Sequence, residues 1–411
     1  MINNIFNSIG GFFQRGRFSA LLNEGLSDRH IVGAHEACEY YQHSVILRQC
    51  VDLISDAIAD LPLKFQTKKA DGSYEDLDNS RLETLLENPF GNLNRRQFIK
   101  EQIAFFLVTG ECFAIRRGLT QAVSLQPVPS YGVELEQDLT DGMPRLYRVT
   151  YYSKQETFPI EDGVSDVFHF KNLNLQDPNR GCSSLSAIKD SLDGYYETIE
   201  FNRNAIKGVA ATHQLTTETP IPEEKRSALK ADLQTMFSGA KNASKTVVLP
   251  KGVKIERIGE PASEMHFEKA SLAFAKNIAH AFHIAPEVLG LEGSKFENLQ
   301  IAKEAFYTDA VLRVANKYFE ELSMFLDRTG KTRMAVDDER IAALEPKRER
   351  RAKRLAEQVQ SGLLTPNEAR EINNQEPYST PEAEIPYMPR NFVPLSLTGG
   401  EEEFQDPGFE E

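Results

Sequence analysis

The sequence predicts an α+β fold, and three observations predict it. Residues 41–59 (YQHSVILRQCVDLISDAIA) place Val45, Leu47, Cys50, Val51, Ile54 and Ile58 mostly at three- and four-residue steps, the period of an amphipathic helix. Residues 111–171 change texture to short strand-like runs, CFAIRRG, VSLQPVP, VELEQD, RLYRVTY and VFHF, separated by turn residues. Residues 263–326 then give an alanine-rich helix, a glycine-broken loop (APEVLGLEGSK) and a second, longer helix. Helices segregated from a run of strands point to a mostly antiparallel sheet rather than an alternating parallel one.

Each element has its own local signal. The first helix stops before Pro62, LPLKFQTKK follows as a strand, and Asp71-Gly72 marks a turn. Asn94 to Gln97 opens a helix (RQFIKEQIAFFLVT) that Gly110 ends. Asp141-Gly142 and Asp162-Gly163 separate strands. A loop, NLQDPNRGCS, leads into a helix over about 184–210. A strand–helix–strand–strand unit follows: THQLTTE, a helix that Pro222 opens with Glu223 and Glu224 in its first turn and Gly239 ends, then TVVLP and VKIERIG about a Lys251-Gly252 turn. Ser294-Lys295-Phe296-Glu297 reads as a capping box for the long helix, with Gly290 and Gly293 permitting unusual backbone angles just before it. Apolar residues ring most of that helix, which predicts burial on several sides. Its Phe306, Tyr307, Tyr318, Phe319 and Phe325 read as packing residues. TRMAVDDE reads as a short strand, PKRERRAKRLAEQVQSG as a charged helix, and Thr365-Pro366-Asn367-Glu368 as another capping box. The last 35 residues, rich in Pro and acid, are expected to be extended or disordered.

Composition narrows the function. At 411 residues the chain has length for two or three domains. No apolar run approaches the ~18 residues of a membrane helix, and the N-terminus lacks a basic start followed by an apolar stretch, so neither a span nor a secretory signal is expected. Cys38, Cys50, Cys112 and Cys182 are widely spaced, as expected of four buried reduced thiols. The net charge of −14 excludes the footprint of a tight DNA binder, so any nucleic-acid contact must be local or weak.

Enzyme signatures are missing. There is no phosphate-cradling G-x-x-x-x-G-K-[ST], and GLEGSK has the wrong spacing with no strand before it. No G-x-S-x-G, H-E-x-x-H or kinase motif occurs, and no cofactor is implied. The nearest approach to a metal site is His280 and His283, one helical turn apart, with Glu287 a turn later. Their bland reading is as polar points on a packed helix, since no fourth ligand is evident. Arg348, Arg350, Arg351, Lys353 and Arg354 make a basic run, read either as a solvated helix face or as an electrostatic contact with DNA or an acidic partner.

Several blocks, taken in order, resemble the portal proteins of long-tailed double-stranded DNA bacteriophages. They are DAIADLPLKF, LLENPFGNLNRRQFIKEQIAFFLVTGECFAIRRG, DVFHFKN…GCSSLSAIKDSL, FNRNAIKGVA, VVLPKGVKIERI, AHAFHIAPEVLGL and SGLLTPNEAREINNQEP, from about residue 40 to 378. One departure is Ala285, where the family carries the first of two prolines. The resemblance implies a ring-forming portal fold: an α+β wing (36–183), a first stem helix (184–210), a small α/β clip (211–262) and a second stem helix (263–284), while residues 1–35, spotted with Gly and Asn and expected to be a flexible arm, lie outside it. A tunnel loop (285–294), a long helix returning to the wing (295–336) and a small helical crown (337–378) complete it, and the acidic tail (379–411) lies outside the resemblance. The long helix would span about 46 Å at the usual rise.

By the same resemblance, twelve subunits would enclose a channel at one capsid vertex, through which double-stranded DNA is packaged and ejected. The partners implied are the terminase large subunit, then a head-tail connector or adaptor, and the major capsid protein. Assembly would occur in the host cytoplasm and the final location would be the virion. Gly290, Glu292, Gly293, Ser294 and Lys295 are the tunnel-loop candidates, with Glu292 offsetting Lys295. Arg203 and Lys207 are channel-facing candidates of the stem, and Glu223, Glu224, Arg226 and Lys230 are docking candidates of the clip. Two readings from other classes stand beside this one: a metal-dependent hydrolase using His280, His283 and Glu287, and a scaffold or adaptor without a channel.

Overall fold

The computed structural model describes residues 32–386, apart from 79, 119–121, 139–141, 152–153, 207–212, 218–221, 223–252, 258–266, 294 and 374. The first helix of the sequence reading is two helices, α1 (Ala34–His43) and α2 (Val45–Ala59). Ser44 breaks them: its backbone is extended and its Oγ accepts from Leu47 N–H, so the residue caps α2 instead of continuing α1. Strand β1 (Leu63–Lys68) turns through Asp71-Gly72 into β2 (Tyr74–Asp76), with Gly72 at φ 88° and the Asp71 carboxylate accepting from Ser73 N–H. A short helix α3 (Arg81–Glu87) precedes α4 (Arg95–Thr109), whose N-terminus is a reciprocal capping box between Asn94 and Gln97. Gly110, at φ 83°, ends α4 in the left-handed region.

The strand-rich region forms two three-stranded antiparallel sheets rather than one. Strand β3 (Glu111–Arg117) lies between β4 (Ser124–Val128) and β8 (Val167–Lys171). The second sheet runs β5 (Val133–Gln137), β6 (Pro144–Tyr151), β7 (Lys154–Pro159). Strand β7 (KQETFP) carries no apolar alternation and is mostly exposed, which is why period-2 reading passes over it. Asp162 and Gly163 both take positive φ, the demand of a tight turn between β7 and β8.

The two sheets pack face to face. Phe113 and Ile115 of β3, with Val128 and Val167, meet Val133, Tyr147 and Val149 across the interface. Phe168 and Phe170 of β8 meet helices instead. Phe170 packs against Phe106 of α4 at 4.3 Å, the rings tilted by 39°, and lies edge-on to Tyr318 at 5.3 Å. Burial on both faces explains why ECFAI reads as a continuous apolar run.

Helix α5 (Leu185–Ile206) follows, and then β9 (His213–Thr217), which pairs antiparallel with β10 (Val253–Arg257). The predicted helix and strand between them lie outside the described residues. Helix α6 (Phe267–Ala281) packs along α5, where Gly194 admits the Phe274 ring; a Cβ there would sit 2.6 Å from it. The long helix runs through 326 but is not uniform: α7 (Phe296–Ala305) passes through a π-helical turn (Phe306–Val311) into α8 (Leu312–Leu326). Phe306, Tyr318 and Phe319 are buried, so the aromatic residues of this helix pack as expected, with Tyr307 half-buried. Strand β11 (Thr332–Val336) then pairs with β1, Phe65 facing Met334.

Residues 338–386 belong to a separate unit. It contains α9 (Glu345–Gln360) and α10 (Pro366–Ile372), the latter opened by a Thr365–Glu368 capping box. Order extends past residue 378: a 3-10 turn (Pro381–Glu384) is held through Glu384, which accepts from Asn367 at 2.6 Å. Arg348 donates to the carbonyls of Asp338, Glu339 and Ile341 at 2.5–2.9 Å, and Arg351 to that of Ile372. Part of the basic run therefore closes this unit's own backbone.

Candidate functional site

The site begins where α6 ends. Ile284 N–H reaches Ala279 C=O at 3.0 Å and His283 N–H reaches His280 C=O at 3.0 Å, the paired bonds of a Schellman motif. His283 occupies its left-handed position at φ 56°, where glycine is the usual residue. Ile284 is buried, as is Ala279, completing the apolar contact that accompanies the motif. This geometry takes His283 off the helix, so His280 and His283 do not share a helical face. Among the described residues no group of three or more His, Cys, Asp or Glu side chains could hold a metal ion.

The loop is a series of tight turns, not a slack connection. Val288 N–H meets Ala285 C=O at 3.0 Å, Leu291 N–H meets Pro286 C=O at 3.0 Å, and Gly290 turns at φ 71°. Pro286 is buried, while Val288 and Leu289 line a cleft of about 600 Å³ shared with α1 and α2. Glu292 forms an ion pair with Lys276 of α6, so its charge is matched by that helix and not by Lys295. Gly293 and Lys295 are exposed. Lys295, in extended conformation with no side-chain cap bond, is the N-cap of α7. The capping box centred on Ser294 falls on a residue outside the described set, and the helix starts one residue later than that box requires. Arg203 is exposed on α5. Lys207, Glu223, Glu224, Arg226 and Lys230 lie outside the described residues.

A second cluster, missed in the sequence, fixes the base of α5. Glu111, 3% exposed, accepts from His169 Nε2 at 3.0 Å, Gly181 N–H at 2.8 Å, and Arg180 through Nε at 3.0 Å and through Nη2. Arg180 also donates to Val133 C=O at 2.9 Å, joining the two sheets at one end of their interface. Burial raises the Glu111 carboxyl, but the His169 bond, the Arg180 charge and the Gly181 amide outweigh it and hold the group below its ordinary value. Burial dominates at His169, which is pushed down despite Glu111 and is further opposed by Lys171 and Arg180. The imidazole is therefore neutral, and the Glu111 charge is balanced by Arg180. Next to it, Gly110 lies against Cys182: a Cβ at Gly110 would be 2.2 Å from the Cys182 carbonyl. Ser183 Oγ donates to Val108 C=O and accepts from Leu185 N–H, the first residue of α5. The signal was present as a carboxylate and an imidazole inside two otherwise apolar strands, ECFAI and VFHF.

The sequence profile of the family described as phage portal protein matches residues 46–374. The chain belongs to the phage portal protein family. It is 24% identical over 368 residues to the portal protein of Escherichia phage T5, covering 87% of each chain. Its portal fold is similar to a chain of the neck of a native gene transfer agent particle computed with C12 symmetry, at TM-score 0.61 and 21% identity over 82% of this chain and 92% of that one. It also resembles a portal protein of the HK97 phage family from Corynebacterium diphtheriae, at TM-score 0.52 and 10% identity, covering 73% of this chain and 95% of the other. Portal proteins are in general structural, non-enzymatic components of virus particles. The described residues contain no helix long and apolar enough to cross a membrane. All four cysteines are free; Cys50 and Cys112 are buried, whereas Cys38 and Cys182 are only half-buried.

Proposed function

We propose that this chain is the subunit of a ring of twelve at a capsid vertex, and that the loop over 285–294 with Lys295 lines the path of double-stranded DNA. The observation that carries the reading is the portal fold with this loop folded through its own turn hydrogen bonds between α6 and α7 and followed by an exposed lysine. A ring gives α7 what one subunit lacks: Phe296 is 80% exposed and Ile301 60%, apolar surface that a neighbour would cover. The C12 symmetry computed for the similar neck particle supports the same subunit number.

Passage in both directions requires contact without grip. Many phosphate contacts would bind DNA steeply and salt-dependently, whereas a subunit of net charge −14 repels it from all but a few cationic points. Lys295 is such a point, and Arg203 and Lys207 on the first stem helix are further candidates. With no NTPase motif in the sequence, the energy of packaging comes from a terminase large subunit. That motor docks at the clip residues 211–262, at Glu223, Glu224, Arg226 and Lys230, and a head-tail connector takes its place later. The major capsid protein surrounds the wing, and assembly takes place in the host cytoplasm before the ring becomes part of the virion.

The test is Lys295→Glu in a packaging system, with negative-stain imaging of the purified protein. Rings with an axial hole and altered DNA packaging or retention are expected. Normal packaging and retention in Lys295→Glu overturns the role of the residue; absence of rings in the unaltered protein overturns the channel.

A further inference from the structure

A cleft of about 740 Å³ lies on the wing between the start of α4 and the strands β4 and β6, away from the loop described above. Phe90, Pro127, Pro129, Tyr131 and Tyr151 line it, together with the half-buried carboxylate of Glu101. Rings and prolines around one acid make a site for a cation that also carries apolar surface. Among the described residues no hydrogen bond or ion pair reaches Glu101, and burial alone acts on it, raising its carboxyl above the ordinary range. The neighbouring Arg117 does not satisfy it, because that guanidinium is held by Glu156 at 2.7 Å and by Gln126. The cleft therefore has one uncompensated negative charge, and its occupant should bring the positive one.

The chain itself supplies a match. Residues 12–18 read Phe-Phe-Gln-Arg-Gly-Arg-Phe, two arginines and three phenylalanines in seven residues. This arm joins the described part of the protein beside the cleft. Val32 N–H donates to Ser186 Oγ at 3.1 Å, and the His35 ring lies 6.4 Å from that of Tyr131, which forms the cleft wall. The 15 residue steps from Arg17 to Val32 can span up to about 50 Å, so reach is no obstacle.

We infer that the cleft seats the arm of this chain, with Arg15 or Arg17 against Glu101 and the phenylalanines among the rings. The contact combines a carboxylate–guanidinium pair with cation–π and ring packing. It latches the N-terminus onto the wing, at a surface separate from the loop at Lys295, and holds whether or not that loop touches DNA.

The test uses the full chain carrying a photo-crosslinking phenylalanine analogue in place of Tyr131, a position 58% exposed and tolerant of change. Crosslinked peptides within residues 12–18 are expected. Glu101→Lys should lower the yield roughly tenfold, the effect of losing about 1.4 kcal/mol. Arg15→Glu with Arg17→Glu should do the same, and combining both charge reversals should restore the yield. Glu101→Gln, which keeps the side-chain shape, serves if the lysine variant fails to fold. Crosslinks that reach only other peptides, whether the adjoining His35 and Phe105 segments or other segments of a second copy, overturn the inference. So does a yield indifferent to Glu101 and to the two arginines.

Discussion

Replacing Glu111 with alanine removes the acceptor of four bonds at once: those from His169, Gly181 and the two Arg180 nitrogens. Charge-assisted bonds contribute about 1.5–3 kcal/mol each, but they share one carboxylate and do not add. Breaking a buried ion pair costs about 3–5 kcal/mol, most of it from the partner left unpaired. Arg180 keeps 28% exposure and its bond to Val133 C=O, so water can rehydrate it and the low end applies, about 3 kcal/mol. Glu111→Gln retains one acceptor and should lose less, about 1–2 kcal/mol. The effect should depend on pH with a definite sign. The folded Glu111 value is depressed, so its contribution is present above the unfolded value near 4.3 and is lost as pH falls through the folded one. His169 is also depressed, so charging it costs stability as pH falls below about 6.5 in both proteins. The difference between unaltered protein and Glu111→Ala should thus be full at pH 7 and shrink below about pH 4. Far-UV circular dichroism in urea is the suitable assay, because the chain has no tryptophan. Subunits kept monomeric, checked by sedimentation, avoid the stability that assembly adds. A loss below about 0.5 kcal/mol, or a difference indifferent to pH, would refute the clamp.

Other outcomes follow from single contacts. His283→Gly should raise stability by about 0.5–1 kcal/mol by relieving the left-handed φ of 56°, read as a higher urea midpoint; an unchanged or lower midpoint would count against the Schellman reading. Gly194→Ala should separate α5 from α6 and cost about 1–3 kcal/mol, with Phe274→Leu in the same chain recovering most of it, since the clash is with that ring. Phe296→Asp with Ile301→Asp should leave a folded subunit that sediments as a monomer, whereas normal rings would remove α7 from the subunit interface.

How far the sequence could be read depended on the range of the interactions. The Asn94 and Thr365 caps, the turns at Asp71-Gly72 and Asp162-Gly163, and the periodic helices are decided within a few residues, so the letters carry them. The break at Ser44 was also local, but an apolar period running across it concealed the cap. The portal resemblance rested on an ordered series of such blocks, and the family match bears it out over residues 46–374. The glycine loop was visible as a bracketed element; its internal turns, the left-handed His283 and the pairing of Glu292 with Lys276 were not.

By itself, then, the sequence determined the helices, most strands, the family and the candidate status of Lys295. Tertiary structure alone decided that the strands form two packed sheets, that β1 takes β11 as its partner, and that Glu111 is buried against Arg180. The physical reason is that caps and periods are local properties, whereas strand partners and buried charges are chosen by which apolar faces meet across long stretches of chain.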